Sequence, residues 1–301
     1  MICMSDLAAD WKVASEWIEQ DLGGRIVSAE KLPRWRPSWN FDLERNGELL
    51  ALHFRGDRGA ADHGIYPLEH ELRVLQLLGQ QGLRVPGIYT FCPRPRGIVM
   101  ERCPGRPDLG TAESPAEQEA VLDQYLEQLA RIHRIEPTAL AGLKLETPRT
   151  DAEIALADFD RWERTYREHK RRPEPMLEFV IGWVRRNVPA RPAKLSLLHG
   201  DAGQLIFEKG RMTAMLDFEL ACLGDPAADL AAMRCRDIFE PLGDLARGFA
   251  RYAEATGAAI DTASVSYHTA RFAICTPLST AHLVAEPNPG LDLALYIEWY
   301  T

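Results

Sequence analysis

The sequence predicts an α+β chain in two lobes: a small β-rich lobe over residues 1–101 and a larger helical lobe over residues 102–301. Three observations lead there. Short strand-like runs with turn residues between them crowd the first third. Helical periodicity dominates beyond a structure-breaking segment, Arg102-Cys103-Pro104-Gly105-Arg106-Pro107, which reads as a hinge. One polar strand–turn–strand interrupts the helices near residue 200. A chain of 301 residues is long enough to bury a sizeable core.

The elements follow in order. A short helix containing Trp11, Val13 and Trp17 is expected first, then an irregular Arg-, Pro- and Trp-rich segment from Lys31 to Trp39. Asn40 to Glu44 and Glu48 to Phe54 read as strands joined by Arg45-Asn46-Gly47, which has hairpin-turn chemistry. Pro67 suits a first helical position. Leu68, Leu72, Leu75 and Leu78 then recur at helical spacing, and Gly79 or Gly82 offers a stop. Val85 to Phe91 and Gly97 to Glu101 read as two more strands. Past the break, Pro115 to Ile135 is a helix with Ser114 at the N-cap and Glu117 three residues on, a capping-box pattern. Asp151 to Arg171 and Pro175 to Asn187 are amphipathic helices, and the chain from Pro226 onward is mostly helical.

Composition narrows the function classes. With 44 acidic against 35 basic residues the net charge is −9, which argues against a dedicated nucleic-acid binder. No apolar run approaches the roughly 20 residues of a membrane span, and the first residues lack a signal-peptide pattern, so no membrane partner and a cytoplasmic location are expected. Oligomeric state is left open. The six cysteines, Cys3, Cys92, Cys103, Cys222, Cys235 and Cys275, form no C-x-x-C pair and read as reduced, mostly buried thiols.

The most chemical stretch is Leu198-His199-Gly200-Asp201-Ala202-Gly203-Gln204, followed by Met215-Leu216-Asp217-Phe218-Glu219. It gathers two carboxylates and an amide around a short strand–turn–strand. Phosphoryl transfer needs such a set: one carboxylate for the proton of an attacking hydroxyl, and an amide and a second carboxylate for Mg²⁺ on nucleotide phosphates.

With Leu223-Gly224-Asp225-Pro226-Ala227-Ala228-Asp229-Leu230 added, the chain resembles the aminoglycoside phosphotransferase and choline kinase group of small-molecule kinases. The last phrase is most similar to the subgroup related to kinase domains fused to acyl-CoA dehydrogenases. The resemblance implies a protein-kinase-like fold and an ATP-dependent phosphotransferase, using ATP or another NTP with Mg²⁺ and a small-molecule hydroxyl substrate. Asp201 would be the catalytic aspartate and Asp217 the metal aspartate. Gln204 stands where the family has Asn, after a loop two residues shorter, and is the expected second metal ligand. Arg55 replaces the usual lysine on the third strand, with Glu71 as its partner and Glu69 as runner-up. Arg58 is a further candidate for phosphate. No Gly-rich loop is visible; Arg34-Trp35-Arg36-Pro37-Ser38-Trp39-Asn40 stands in its place, either putting its guanidinium groups, Arg34 among them, and the Ser38 hydroxyl on the phosphates or forming a packed Trp/Pro cap on the lobe. Met100 and Glu101 match the inter-lobe linker at adenine. Asp229 would brace the loop, His199 would pack within it, and Glu219 could orient a second metal or the substrate. Trp162 and Trp183 are candidates for lining the acceptor pocket or for the helical core. A nucleotide-binding pseudokinase is the alternative reading. The acceptor ranges over a hydroxyacyl thioester, a hydroxy acid, an amino alcohol or an aminoglycoside.

Overall fold

The computed structural model describes residues 9–34, 36–57, 66–190 and 194–281. Cys3 and Arg58, and the expected helical continuation past residue 281, lie outside the described residues. Helix α1 (Ala9–Leu22) is followed by strands β1 (Arg25–Lys31), β2 (Ser38–Arg45) and β3 (Glu48–Gly56), helix α2 (Leu68–Gln80), and strands β4 (Ile88–Pro93) and β5 (Arg96–Glu101). The five strands make one antiparallel sheet in the order β1-β2-β3-β5-β4. Asn46 and Gly47 turn β2 into β3 with φ of 54° and 80°, the doubly left-handed geometry of a tight hairpin. Strand alternation then sorts the faces. Leu52 and Phe54 pack with Trp39, Phe41, Ala14 and Ile18 beneath α1. His53 and Arg55 point the other way.

Two expectations need correction here. The segment from Lys31 to Trp39 is irregular only between β1 and β2, and β1 itself was not foreseen. Pro67 is the N-cap and not the first helical residue; α2 starts at Leu68, runs through Gly79, and is ended by the left-handed turn at Gly82 (φ +69°).

The helical lobe begins with α3 (Pro115–Ile132). Ser114 caps it by accepting from the Glu117 N–H at 3.1 Å, but Glu117 turns its carboxylate to Glu113 N and Gly210 N, so the reciprocal half of the capping box is not made. A complete box forms instead at Thr150 and Glu153, opening α4 (Asp151–Leu156). The single helix expected over Asp151 to Arg171 is broken at Ala157, whose φ is +47°, and resumes as α5 (Phe159–His169). Helix α6 (Pro175–Arg186) leads to strands β6 (Ser196–Leu198), β7 (Leu205–Glu208), β8 (Arg211–Met215) and β9 (Cys222–Gly224). These pair as two small antiparallel ladders, β6 with β9 and β7 with β8. Helices α7 (Ala227–Arg236), α8 (Leu245–Thr256), α9 (Thr262–Ala273) and α10 (Cys275–Ser279) follow.

One core runs through both lobes. It joins Leu68, Leu75 and Leu78 of α2 and Ile98 and Met100 of β5 to Tyr125 and Leu129 of α3 and to Phe207, Met215 and Phe218. The two ladders therefore hang from the same apolar mass as α2, and the loops between their strands meet the underside of the large sheet. Trp162 lies in a separate cluster with Phe159, Tyr166 and Ile181, and Trp183 packs at its edge. The five described cysteines are unpaired, four of them buried. Among the described residues no helix is long and apolar enough to cross a membrane.

Candidate active site

Residues 199–204 link β6 to β7, and a buried network fixes their path. Asp229, near the start of α7, accepts from the N–H groups of His199 (2.7 Å) and Gly200 (3.0 Å). Its carboxylate also meets His133 Nε2 at 2.9 Å, and His133 Nδ1 lies 2.6 Å from the Tyr252 hydroxyl. Burial alone would push the Asp229 pKa up; the hydrogen bonds from His133 and the loop outweigh it and hold the carboxyl below its usual range. Tyr125 Oη accepts from Gly203 N at 2.6 Å. Gly200 has φ +90°, and a Cβ there would stand 2.1 Å from the Leu220 carbonyl oxygen, so only glycine fits. His199 is buried against Phe218, and desolvation lowers its pKa to about 4, so it is neutral.

This scaffold presents Asp201 with both carboxylate oxygens engaged. Oδ2 accepts from Gln204 Nε2 at 2.7 Å, and Oδ1 accepts from Arg236 Nη2 at 2.7 Å. The other arm of Arg236 donates to Glu240 at 2.8 Å. Burial pushes the Asp201 pKa up while the Arg236 charge pulls it back, and Asp217 and Glu219 are close enough to add repulsion.

The second cluster forms where β8 ends. Leu216 N donates to Gln204 O at 3.1 Å, which ties the two loops together, and Asp217 then takes a left-handed conformation (φ 65°, ψ 59°). Arg55 of β3 donates through Nη2 to Asp217 Oδ1 and through Nε to Glu71 Oε2 of α2 at 2.6 Å. Glu219 lies 3.6 Å from the same guanidinium and accepts from Arg36 Nη2. Burial works against a charged Arg55, but Asp217, Glu71 and Glu219 hold it protonated more firmly than usual. Glu71 is pushed up by its own burial, against the pull of Arg55. His53, on the same face of β3 as Arg55, is lowered to about 4 by burial and then by the charges of Arg55, Arg34, Arg102 and Arg36. In a chain of net charge −9, that is a local concentration of guanidinium groups.

Glu71, Asp217 and Glu219 each offer an oxygen within 4.8 Å of the others, a donor set that suits a hard divalent cation. Glu71 is 2% exposed and committed to Arg55, whereas Asp217 and Glu219 are 25% and 21% exposed. Asp217 and Glu219 are therefore the accessible donors.

The structure thus brings Arg55, Glu71 and Asp217 into one cluster and Asp201 and Gln204 into another beside it. The Gln204 amide faces Asp201. Glu69 pairs with Arg96 at 2.6 Å, away from Arg55. Arg34 is exposed, and it is Arg36, 5% exposed, that turns inward. Ser38 is buried directly opposite Arg55 in the β2–β3 ladder, on the same face of the sheet. Met100 is buried in the shared core, and Glu101 is exposed with its N–H donated to Gly87 O at 2.7 Å. The sequence reading missed His53 and Arg236, and it did not single out Arg36 within the Arg34 to Asn40 segment whose guanidinium groups it put on the phosphates. Arg236 had a readable signal: it stands seven residues after Asp229, two turns along one helix face.

Comparison with known proteins fits this geometry. Acyl-CoA dehydrogenase family member 10 of Mus musculus is 31% identical over 179 residues, 55% of this chain and 16% of that protein; the chain thus spans less than a fifth of that relative. A putative aminoglycoside phosphotransferase from Ralstonia eutropha superposes with a TM-score of 0.66 at 21% identity, covering 95% of this chain and 93% of that one. A thermostable mutant of another aminoglycoside phosphotransferase, in a ternary complex with ADP and hygromycin B, gives 0.64 at 15% identity over 91% and 99%. The fold is accordingly the protein-kinase-like two-lobe α+β fold. The model of the phosphotransferase enzyme family matches residues 66–265, which take in Glu71, Asp201, Gln204 and Asp217, and the chain belongs to that family.

Proposed function

We propose that the chain is an ATP-dependent phosphotransferase that moves the γ-phosphate to a hydroxyl of a small molecule. The observation that carries this is the pairing of two clusters: Asp201, held at both oxygens, beside the Asp217–Glu219 carboxylates on which Arg55 and Arg36 converge.

Asp201 would accept a hydrogen bond from the acceptor hydroxyl and orient it toward the γ-phosphorus, taking its proton as the bond to phosphorus forms and the bond from phosphorus to the bridging oxygen of the departing ADP breaks. Arg55 and Arg36 would turn from their carboxylate partners onto phosphate oxygens, which guanidinium forks bind well. Ser38, across the ladder from Arg55, would join them through its hydroxyl. Asp217 and Glu219 would hold Mg²⁺, with Gln204 as a further oxygen donor; the ion, when bound, neutralises charge on the β- and γ-phosphates. Met100 and Glu101 would border the adenine through backbone groups. Such a site works by positioning and electrostatic stabilisation, without a covalent enzyme intermediate.

Similarity to acyl-CoA dehydrogenase family member 10 favours a hydroxyacyl thioester or hydroxy acid as acceptor; the complex with hygromycin B keeps aminoglycosides in view. A second reading, nucleotide binding without transfer, draws on the Arg55–Asp217 ion pair, which occupies the metal aspartate. One experiment separates them. Hydroxyacyl-CoAs, hydroxy acids, amino alcohols and aminoglycosides are screened with MgATP for ADP release, wild type against Asp201→Ala. Acceptor-dependent release, lowered on the order of 10²–10⁴-fold in the variant, supports transfer. A nucleotide-induced thermal shift with no release under any acceptor supports the second reading.

A further inference from the structure

We propose that Arg236 is the positioning residue of the catalytic loop, setting the direction of the Asp201 carboxylate while Glu240 anchors its far side. This rests on the reading of Asp201 as the group that receives the acceptor hydroxyl.

Helix α7 touches the loop at two places from one face. Asp229 takes the loop's first amides, and Arg236, seven residues on, takes Asp201 Oδ1 at 2.7 Å. A carboxylate at one end and a guanidinium at the other brace opposite charges of a single short loop. The path between them is kept clear by Gly203, where a Cβ would come within 2.8 Å of Arg236 Cδ and 3.2 Å of Leu242. Gly203 is itself pinned by the Tyr125 hydroxyl, so loop and arginine stem fit together as one packed unit.

Both arms of the guanidinium are committed to carboxylates, Nη2 to Asp201 and Nη1 to Glu240. Residues past α7 keep winding, with Phe239 N and Glu240 N both donating to Arg236 O at 2.9 Å, which places Glu240 on the far side of the head group. A strut fixed at both ends is the geometry of a group that orients its neighbour. On the second oxygen, Gln204 donates a neutral hydrogen bond, so rotation of the Asp201 carboxylate is stopped from two directions. The loop between Asp201 and Gln204 is short, and few backbone groups remain within it to do this; the helix supplies what the loop lacks.

The test uses Arg236→Met and Arg236→Lys in the full chain, read by crystal structure and by ADP release from MgATP, a reaction in which water takes the acceptor's place. In Arg236→Met the Asp201 carboxylate should rotate away from its present position. The kcat should fall on the order of 10²-fold, with KM for MgATP changed less than about twofold. Arg236→Lys, which keeps the charge but cannot span Asp201 and Glu240 together, should fall between Arg236→Met and wild type. Added guanidinium ion at sub-denaturing concentration should raise the rate of Arg236→Met and leave wild type unchanged. In an Asp201→Ala background, Arg236→Met should cause no further loss. An unmoved Asp201 with wild-type kcat, a loss carried by KM for MgATP alone, or a full additional loss in the Asp201→Ala background overturns the proposal. Glu240→Gln, which leaves the Asp201 bond in place, should lose only several-fold and stands in if Arg236→Met does not fold. Should wild type release no ADP with water or with any acceptor of the screen, the reading of the site fails, and the Asp201 rotation in the Arg236→Met crystal structure still decides the positioning claim.

Discussion

Two glycines show how sharply the loop depends on single atoms. At Gly200 a side chain would collide with the Leu220 carbonyl at 2.1 Å in a backbone of φ +90°. Gly200→Ala is expected to destabilise the protein by more than ~1 kcal/mol and to depress ADP release by displacing Asp201, read by urea melts beside activity. Gly79 makes the contrast. It is an exposed helical position whose nearest neighbour to a new Cβ is Val85 Cγ2 at 3.9 Å. There Gly79→Ala should stabilise by about 0.5–1 kcal/mol in the same melts. At this scale the sequence displayed what lay close together in it. Asp201, Gln204 and Asp217 share one polar stretch, and the turn chemistry around them is explicit. Arg36 and Glu219 are 183 positions apart, and each alone resembles a solvated charge; only the fold turns them toward one another.

Among the elements, α7 and α2 position the site. Asp229 contributes from α7 with three hydrogen bonds, two of them fully buried, so Asp229→Ala should cost about 3–5 kcal/mol and loosen the loop. Its folded pKa lies below its unfolded value, which fixes the sign of the pH effect. The unfolded chain takes up a proton first as pH falls, so this stability is complete above about pH 4 and is lost as acid carries the pH through the folded pKa. Denaturation midpoints followed from pH 7 to pH 3 should fall more steeply for wild type than for Asp229→Asn. Helix α2 carries Glu71 and is fastened to the helical lobe just before its start, where Tyr66 Oη meets both oxygens of the buried Asp158 at 2.8 and 2.9 Å. Tyr66→Phe leaves that carboxylate short of a donor and should cost about 1–3 kcal/mol in thermal or urea melts. The hairpin β2–β3 and the leucine helix were legible because period and turn agreed. Strand β1 was not: a bulge between Ile26 and Ser28 breaks its alternation, leaving Ile26 and Ala29 buried three apart. The break between α4 and α5 was hidden for another reason, since it falls at Ala157, a residue type that does not advertise a left-handed turn.

Across the whole molecule, the two lobes share a core and the groups of the candidate site straddle it. Arg55 comes from the sheet and Arg36 from the β1–β2 connection, Glu71 from α2, and Asp201, Asp217, Glu219 and Arg236 from the helical lobe. The lobe pattern could be read from where strand signals give way to helical periodicity. The apolar continuity between lobes could not, because contacts such as those of Met100 with the helical lobe join residues that periodicity treats separately. The central claim is that this arrangement transfers phosphate to an alcohol oxygen. The direct measurement is ³¹P NMR of the purified chain with MgATP and the best acceptor from the screen. A phosphomonoester of the acceptor appearing in equal amount with ADP, and absent with Asp217→Ala, is the predicted result. ADP accompanied only by inorganic phosphate whatever the acceptor, or a phosphomonoester formed equally well without Asp217, would contradict it.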